Sequence, residues 1–126
     1  MNNSKAHSEL VNAILLEHGH GDVRIFKNAV GMVERKDGRK FKYGVCNPGG
    51  SDLIGWTKVT VTPEMVGTTL AVFTGIEVKT GTGRQSKDQR RFQAAIESAG
   101  GRAGVARSVQ DAAGFLANKV KAADTP

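Results

Sequence analysis

The chain has 126 residues, 39% hydrophobic and 24% charged, with a formal net charge of +6 and one cysteine. That length suits a single domain with its own core, the lone Cys46 excludes an intramolecular disulfide or a cysteine-based zinc cluster, and no apolar run reaches the length of a membrane span. The N-terminal stretch is polar and lacks a secretory apolar core, so the expected location is cytoplasmic, and the positive charge favours a polyanionic partner.

Asn3 or Ser4 is placed to cap a first helix running to about Glu17, with Leu10, Val11, Ile14 and Leu15 as its apolar stripe. His18-Gly-His-Gly21 ends it; the two histidines suit a polar turn better than a metal site, and His7 has no evident partner. Short strand-like runs follow at Val23 to Lys27, Gly31 to Arg35 and Phe41 to Val45. Between the last two, Asp37-Gly38 predicts a type I′ hairpin turn. Arg35, Lys36, Arg39, Lys40 and Lys42 make this hairpin a basic arm, suited either to tracking a nucleic-acid backbone or to keeping an edge strand soluble.

Asn47-Pro-Gly-Gly-Ser51 reads as a loop delivering Asp52 to the start of an apolar strand, Asp52 to Trp56. Val59 to Thr62 continues extended, Pro63 to Gly67 bends, and Thr68 to Lys79 reads as a long central strand. Within it, Glu77 and Lys79 share a face because strand side chains alternate. Opposite charges on an otherwise apolar strand are costly unless paired, solvated or used.

Ser86-Lys-Asp-Gln89 has the form of a capping box, and the helix it opens carries Phe92, Ile96 and Ala99 on one face, with Gln89 on that same inward face. A helix N-terminus favours acidic residues; this one has Arg84, Lys87, Arg90 and Arg91 against Asp88 alone, the pattern of a helix start that receives phosphate. Gly100-Gly101 stops the helix, Ala103 to Arg107 forms a last strand, and Ser108 with Asp111 opens a final helix through Val120. One domain over 1–120 with a tail at 121–126 follows.

Asp52 and Glu77, brought together on adjacent strands, would make a hard oxygen site of the kind Mg²⁺ or Mn²⁺ prefers. Phosphodiester hydrolysis needs an activated water and neutralised phosphoryl oxygens. Lys79 would orient or deprotonate that water, or stabilise developing charge. A phosphate-binding module built on Gly81-Thr-Gly83 is a weaker reading, because its spacing matches neither the P-loop nor the dinucleotide fingerprint. A basic nucleic-acid-binding domain without catalysis is the alternative.

The ordered set Lys27-Asn28 with Gly31, Gly50-Ser-Asp-Leu-Ile-Gly55, Ile76-Glu-Val-Lys79, Gly83-Arg-x-Ser86-x-x-Gln89-x-x-Phe92, Gly100-Gly101 and Val105-Ala-Arg-Ser108 resembles the PD-(D/E)XK nuclease superfamily. Within it, the chain is similar to the stand-alone, phage-type virus-type replication-repair nuclease (VRR-NUC) domain, from about Glu9 to Asp111. Ser51 replaces the superfamily's nominal proline before the aspartate, and Lys27 stands where relatives often have arginine. The resemblance implies an α/β restriction-endonuclease-like core, a central mixed sheet flanked by helices in the order α-β-β-β-α-β-α. It further implies a Mg²⁺- or Mn²⁺-dependent endodeoxyribonuclease, in the host cytoplasm if phage-encoded, with Asp52, Glu77, Lys79 and Gln89 catalytic. The Val78 carbonyl and Glu9 would join Asp52 and Glu77 around metal, and Gln89 would position the water or Lys79. Arg84, Lys87, Lys27, Arg39 and Lys40 are the expected DNA contacts. The implied working unit is a homodimer on branched DNA such as a four-way junction, whose two-fold symmetry a dimer would match. Trp56, Met65 and Phe115 are apolar residues a monomer would leave exposed.

Overall fold

The computed structural model describes residues 3–117. It is a mixed α/β structure with three helices and small sheets of both antiparallel and parallel strands, compatible with a nuclease-like α/β core. The chain divides into two compact units, Met1–Val61 and Thr62–Pro126.

In the first unit, helix α1 spans Asn3–His18 and is followed by strands β1 (Val23–Lys27), β2 (Gly31–Glu34), β3 (Lys40–Tyr43) and β4 (Leu53–Thr57). β1 pairs antiparallel with β4, Lys27 opposite Leu53 and Val23 opposite Thr57. Residues of this pair are mostly half-buried, and Phe26 meets Trp56 edge-on at 5.9 Å between ring centroids. The Arg24 guanidinium lies 5.5 Å from both rings, covering their apolar surface with a cation that prefers a ring face.

β2 and β3 form the basic hairpin. Its turn differs from the expected type I′, which needs positive φ at both central residues. Gly38 has φ of 85°, but Asp37 does not share that conformation. Asp37 instead turns its carboxylate onto the Arg39 N–H at 2.9 Å, and Arg35 and Arg39 close the loop by backbone hydrogen bonds. The hairpin is therefore a three-residue loop with glycine at its left-handed position. β3 ends at Tyr43 rather than Val45, because Gly44 and Cys46 both take positive φ.

In the second unit a short 3₁₀ turn, Pro63–Met65, precedes β5 (Thr74–Val78), α2 (Lys87–Ser98), β6 (Arg102–Ala106) and α3 (Val109–Leu116). β5 and β6 pair in parallel, Glu77 opposite Val105. The long strand expected from Thr68 is shorter at its start. Residues 68–72 form no ladder among the described residues, and a β-prone segment without a partner is not a strand. Ladder hydrogen bonding extends slightly past both ends, from Arg102 N–H to the Phe73 carbonyl and from Lys79 N–H to the Ala106 carbonyl.

α2 lies on the Gly75–Glu77 face of the ladder, where Ile96 is the one fully buried large side chain among the described residues. A Cβ at Gly75 would fall 2.8 Å from Ile96 Cδ1, so the missing side chain lets the helix approach. α3 covers the opposite face, its Phe115 ring seated over Gly104. α3 ends at Leu116, short of Val120; 118–126, including the expected tail, lie outside the described residues.

Candidate active site

Glu77 and Lys79 sit where a parallel strand delivers functional groups in α/β structures, at the carboxyl end of β5. They share a face, as alternation requires, with Lys79 Nζ 3.4 Å from Glu77 Oε1. Neither behaves as an ordinary surface charge: the Lys79 side chain is 20% exposed and that of Glu77 34%. The third member arrives from α2. Ser86 and Gln89 close a reciprocal capping box, with Ser86 Oγ accepting from Gln89 N–H at 3.1 Å and Gln89 Oε1 accepting from Ser86 N–H at 2.9 Å. This fixes the amide so that its Nε2 donates to Glu77 Oε1 at 2.9 Å. One carboxylate oxygen thus holds both the amide and the ammonium.

The loop joining Lys79 to α2 is held from the neighbouring strand end. Arg107, just past β6, donates from Nη1 to the Gly81 carbonyl at 3.1 Å and from Nη2 to the Gly83 carbonyl. Its own backbone is tied to the Asp111 carboxylate at the cap of α3. An apolar cavity of about 300 Å³ opens between α2 and the ladder, lined by Phe92 and Ile96 and edged by Glu77 and Gln89. Arg84 and Lys87 stand exposed at the start of α2.

Asp52 belongs to the first unit. The glycine-rich turn before it is clamped by Asn28, whose side chain uses all of its main hydrogen-bonding directions. Oδ1 accepts from Val45 N–H at 2.8 Å, while Nδ2 donates to the Val45 carbonyl at 2.9 Å and the Ser51 carbonyl at 3.0 Å. The Asn28 backbone N–H also donates to the Asp52 carbonyl at 2.8 Å. Gly50 is needed for closeness, since a Cβ there would lie 1.9 Å from the Val45 carbonyl oxygen. The Asp52 carboxylate projects outward and meets His7 of α1, Nε2 to Oδ2 at 3.1 Å. Both line a cavity of about 230 Å³ with Ser8, Val11, Lys27, Asn28 and Ala29.

The structure therefore gathers Glu77, Lys79 and Gln89 in one unit, and Asp52 with Lys27 in the other. Glu9 does not line the Asp52 cavity. Two residues along a helix rotate about 200°, so the turn of α1 that faces Asp52 presents His7 instead. Among the described residues no three His, Cys, Asp or Glu side chains form a ready metal cage. Arg39 and Lys40 lie at the basic hairpin, Arg39 pairing loosely with Asp37 at 3.8 Å. His7, Asn28 and Arg107 are the contributors that sequence reasoning gave no role. All three act through partners 17 or more residues away, beyond the reach of local pattern. Trp56, Met65 and Phe115 are half-buried rather than exposed, and the open apolar side chains are others, Leu16, Val66, Val78 and Val109 among them.

Among the described residues no helix is long and apolar enough to cross a membrane. Comparison with curated proteins and with solved structures returned no match. A family model described as "VRR-NUC domain" matches residues 1–110, nearly the whole described chain, and the protein belongs to that family of nuclease domains.

Proposed function

We propose that this nuclease domain is a divalent-metal-dependent endodeoxyribonuclease of the PD-(D/E)XK type, with Asp52, Glu77, Lys79 and Gln89 as its working residues. The observation that carries this reading is the Glu77 cluster: a half-buried carboxylate whose Oε1 takes both the Gln89 amide and the Lys79 ammonium. A strand-end ion pair kept only for solubility would not be braced by a helix cap. Exposed pairs of that kind contribute little to stability, about 0–1 kcal/mol.

The donor set fits Mg²⁺ or Mn²⁺. Carboxylate oxygens are the hard ligands these ions take, and the Asp52 carboxylate is 70% exposed, open to a cation. The ligands in this reading are Asp52, Glu77 and the Val78 carbonyl, with Glu9, off the wall of the Asp52 cavity, holding a second ion or an outer-shell water. When bound, the ion would neutralise phosphoryl charge and raise the acidity of a water nucleophile. Gln89 holds Glu77 at a fixed angle. Lys79 presents its ammonium beside that carboxylate, where it orients a water or meets charge developing on the phosphate. Lys27, Arg84, Lys87, Arg39 and Lys40 supply cations for the DNA backbone, with the start of α2 adding its positive dipole end. The domain spans 1–120, acts as a homodimer and prefers branched DNA such as a four-way junction. The exposed apolar side chains and the two-fold symmetry of such a junction support this part of the reading.

Cleavage of labelled linear, flap, fork and four-way junction DNA with and without EDTA tests the proposal. Glu77→Ala should lower the rate by at least ~10²–10³, the effect of losing one preorganised electrostatic contact, while leaving DNA binding in place. Wild-type cleavage by that variant, or cleavage indifferent to EDTA, would refute this chemistry, and binding without cleavage of any of these substrates in Mg²⁺ or Mn²⁺ would return the chain to a DNA-binding role.

A further inference from the structure

We propose that His7 is a metal ligand alongside Asp52, an inference that rests on the metal-dependent reading above. The helix residue that meets Asp52 is an imidazole, with Nε2 3.1 Å from Oδ2. The imidazole nitrogen and the carboxylate oxygen come from different elements and open on one cavity, so both could serve a single ion there. The pair has room for the ion and its waters: the His7 side chain is 59% exposed, Asp52 is 70% exposed, and both open on the same cavity.

Stability does not account for the pairing, since so exposed a contact contributes little. Local structure does not account for it either, because Asp52 is positioned through its backbone and the Asn28 clamp, with its carboxylate left over. Nε2 is the ring atom that faces Oδ2, so a neutral ring with its proton on Nδ1 would offer that nitrogen's lone pair to an ion. Lys27 lines the same cavity and supplies a cation that a DNA phosphate next to the ion would neutralise.

An imidazole among carboxylates has a definite consequence for metal choice. Nitrogen ligands suit Mn²⁺ and later transition ions better than Mg²⁺, which prefers oxygen throughout. The site should therefore bind Mn²⁺ before Mg²⁺.

The test is Mn²⁺ binding to the full chain, followed by electron paramagnetic resonance with pulsed detection of ¹⁴N coupling. The wild type should show an imidazole nitrogen coupled to the ion. His7→Ala should lose that coupling with His18 and His20 still present, and should bind Mn²⁺ at least ~10-fold more weakly, the lower end of what even an outer-shell partner contributes. Circular dichroism of the variant checks that α1 is intact. A Mn²⁺ spectrum without nitrogen coupling in the wild type, or unchanged affinity in His7→Ala, would overturn the assignment. If Asp52→Asn still abolishes Mn²⁺ binding in that case, the metal-dependent reading stands without His7. If the wild type binds no Mn²⁺ at all, both fall.

Discussion

Gln89 offers the sharpest perturbation, because its two ends do different work. Its oxygen completes the helix cap and its nitrogen holds Glu77. Gln89→Glu keeps the cap, since glutamate serves the third helical position of a capping box equally well. It replaces the donor facing Glu77 with a second carboxylate. Two unit charges about 4 Å apart at an effective dielectric near 20 repel by roughly 4 kcal/mol. Glu77 is 34% exposed, so screening reduces this to about 1–2 kcal/mol, to which the lost charge-assisted hydrogen bond adds about 1.5 kcal/mol. The displaced Glu77 should slow single-turnover cleavage about 70- to 400-fold. Gln89→Ala loses the side-chain half of the box, since Ser86 Oγ still accepts from the backbone N–H of residue 89, a cost of about 0.5–1 kcal/mol to α2, but places no charge against Glu77. The better-capped variant should therefore be the slower enzyme. Urea unfolding and single-turnover cleavage of both proteins measure the two effects separately. Gln89→Ala proving slower than Gln89→Glu, or both cutting like wild type, would refute the claim that this amide governs Glu77.

Three further outcomes are expected. The double change Arg84→Ala, Lys87→Ala should weaken DNA binding across sequences and reduce the slope of log K against log salt by about 1.8 on duplex DNA; an unchanged slope would make these side chains solvated bystanders. Arg107→Ala should free the Gly81–Gly83 carbonyls, destabilise the second unit by about 1–2 kcal/mol in urea unfolding and speed amide exchange from 80 to 85, whereas unchanged exchange would show that the loop holds itself. Light scattering at assay concentration should give twice the chain mass, and a monomeric mass while cleavage proceeds would remove the dimer and leave the nuclease standing.

What the sequence disclosed, and what it hid, follows the range of the interactions. The cap of α2 was legible because Ser86 and Gln89 are three residues apart and answer each other directly. The inward aim of Gln89 followed from the helical repeat, and the shared face of Glu77 and Lys79 from strand alternation. Ser108 with Asp111 likewise announced α3. The start of β5 is not legible in the sequence, since Leu70, Ala71, Val72 and Phe73 have the character of a strand but pairing is decided by Arg102–Ala106, far along the chain. The Asp37 turn departs from type I′ for a smaller reason: its carboxylate takes the Arg39 N–H and favours a different loop. The site's most informative long-range pairing, His7 with Asp52, spans 45 residues and leaves no periodic trace.

The Asn28 clamp has a consequence for how this chain tolerates change. With one carboxamide accepting from Val45 N–H and donating to the Val45 carbonyl, the side chain imitates a rung of antiparallel sheet that the main chain does not itself make. Its second donor reaches Ser51, so a single residue measures the span between positions 45 and 51. Surface turns rich in glycine usually accept insertions freely. This one is gauged at both ends by the same side chain, so an added residue would break one contact or the other and swing Asp52 out of line. The turn is therefore fixed in its length, and an aspartate at 28, one atom different, would lose both donors that set the gauge.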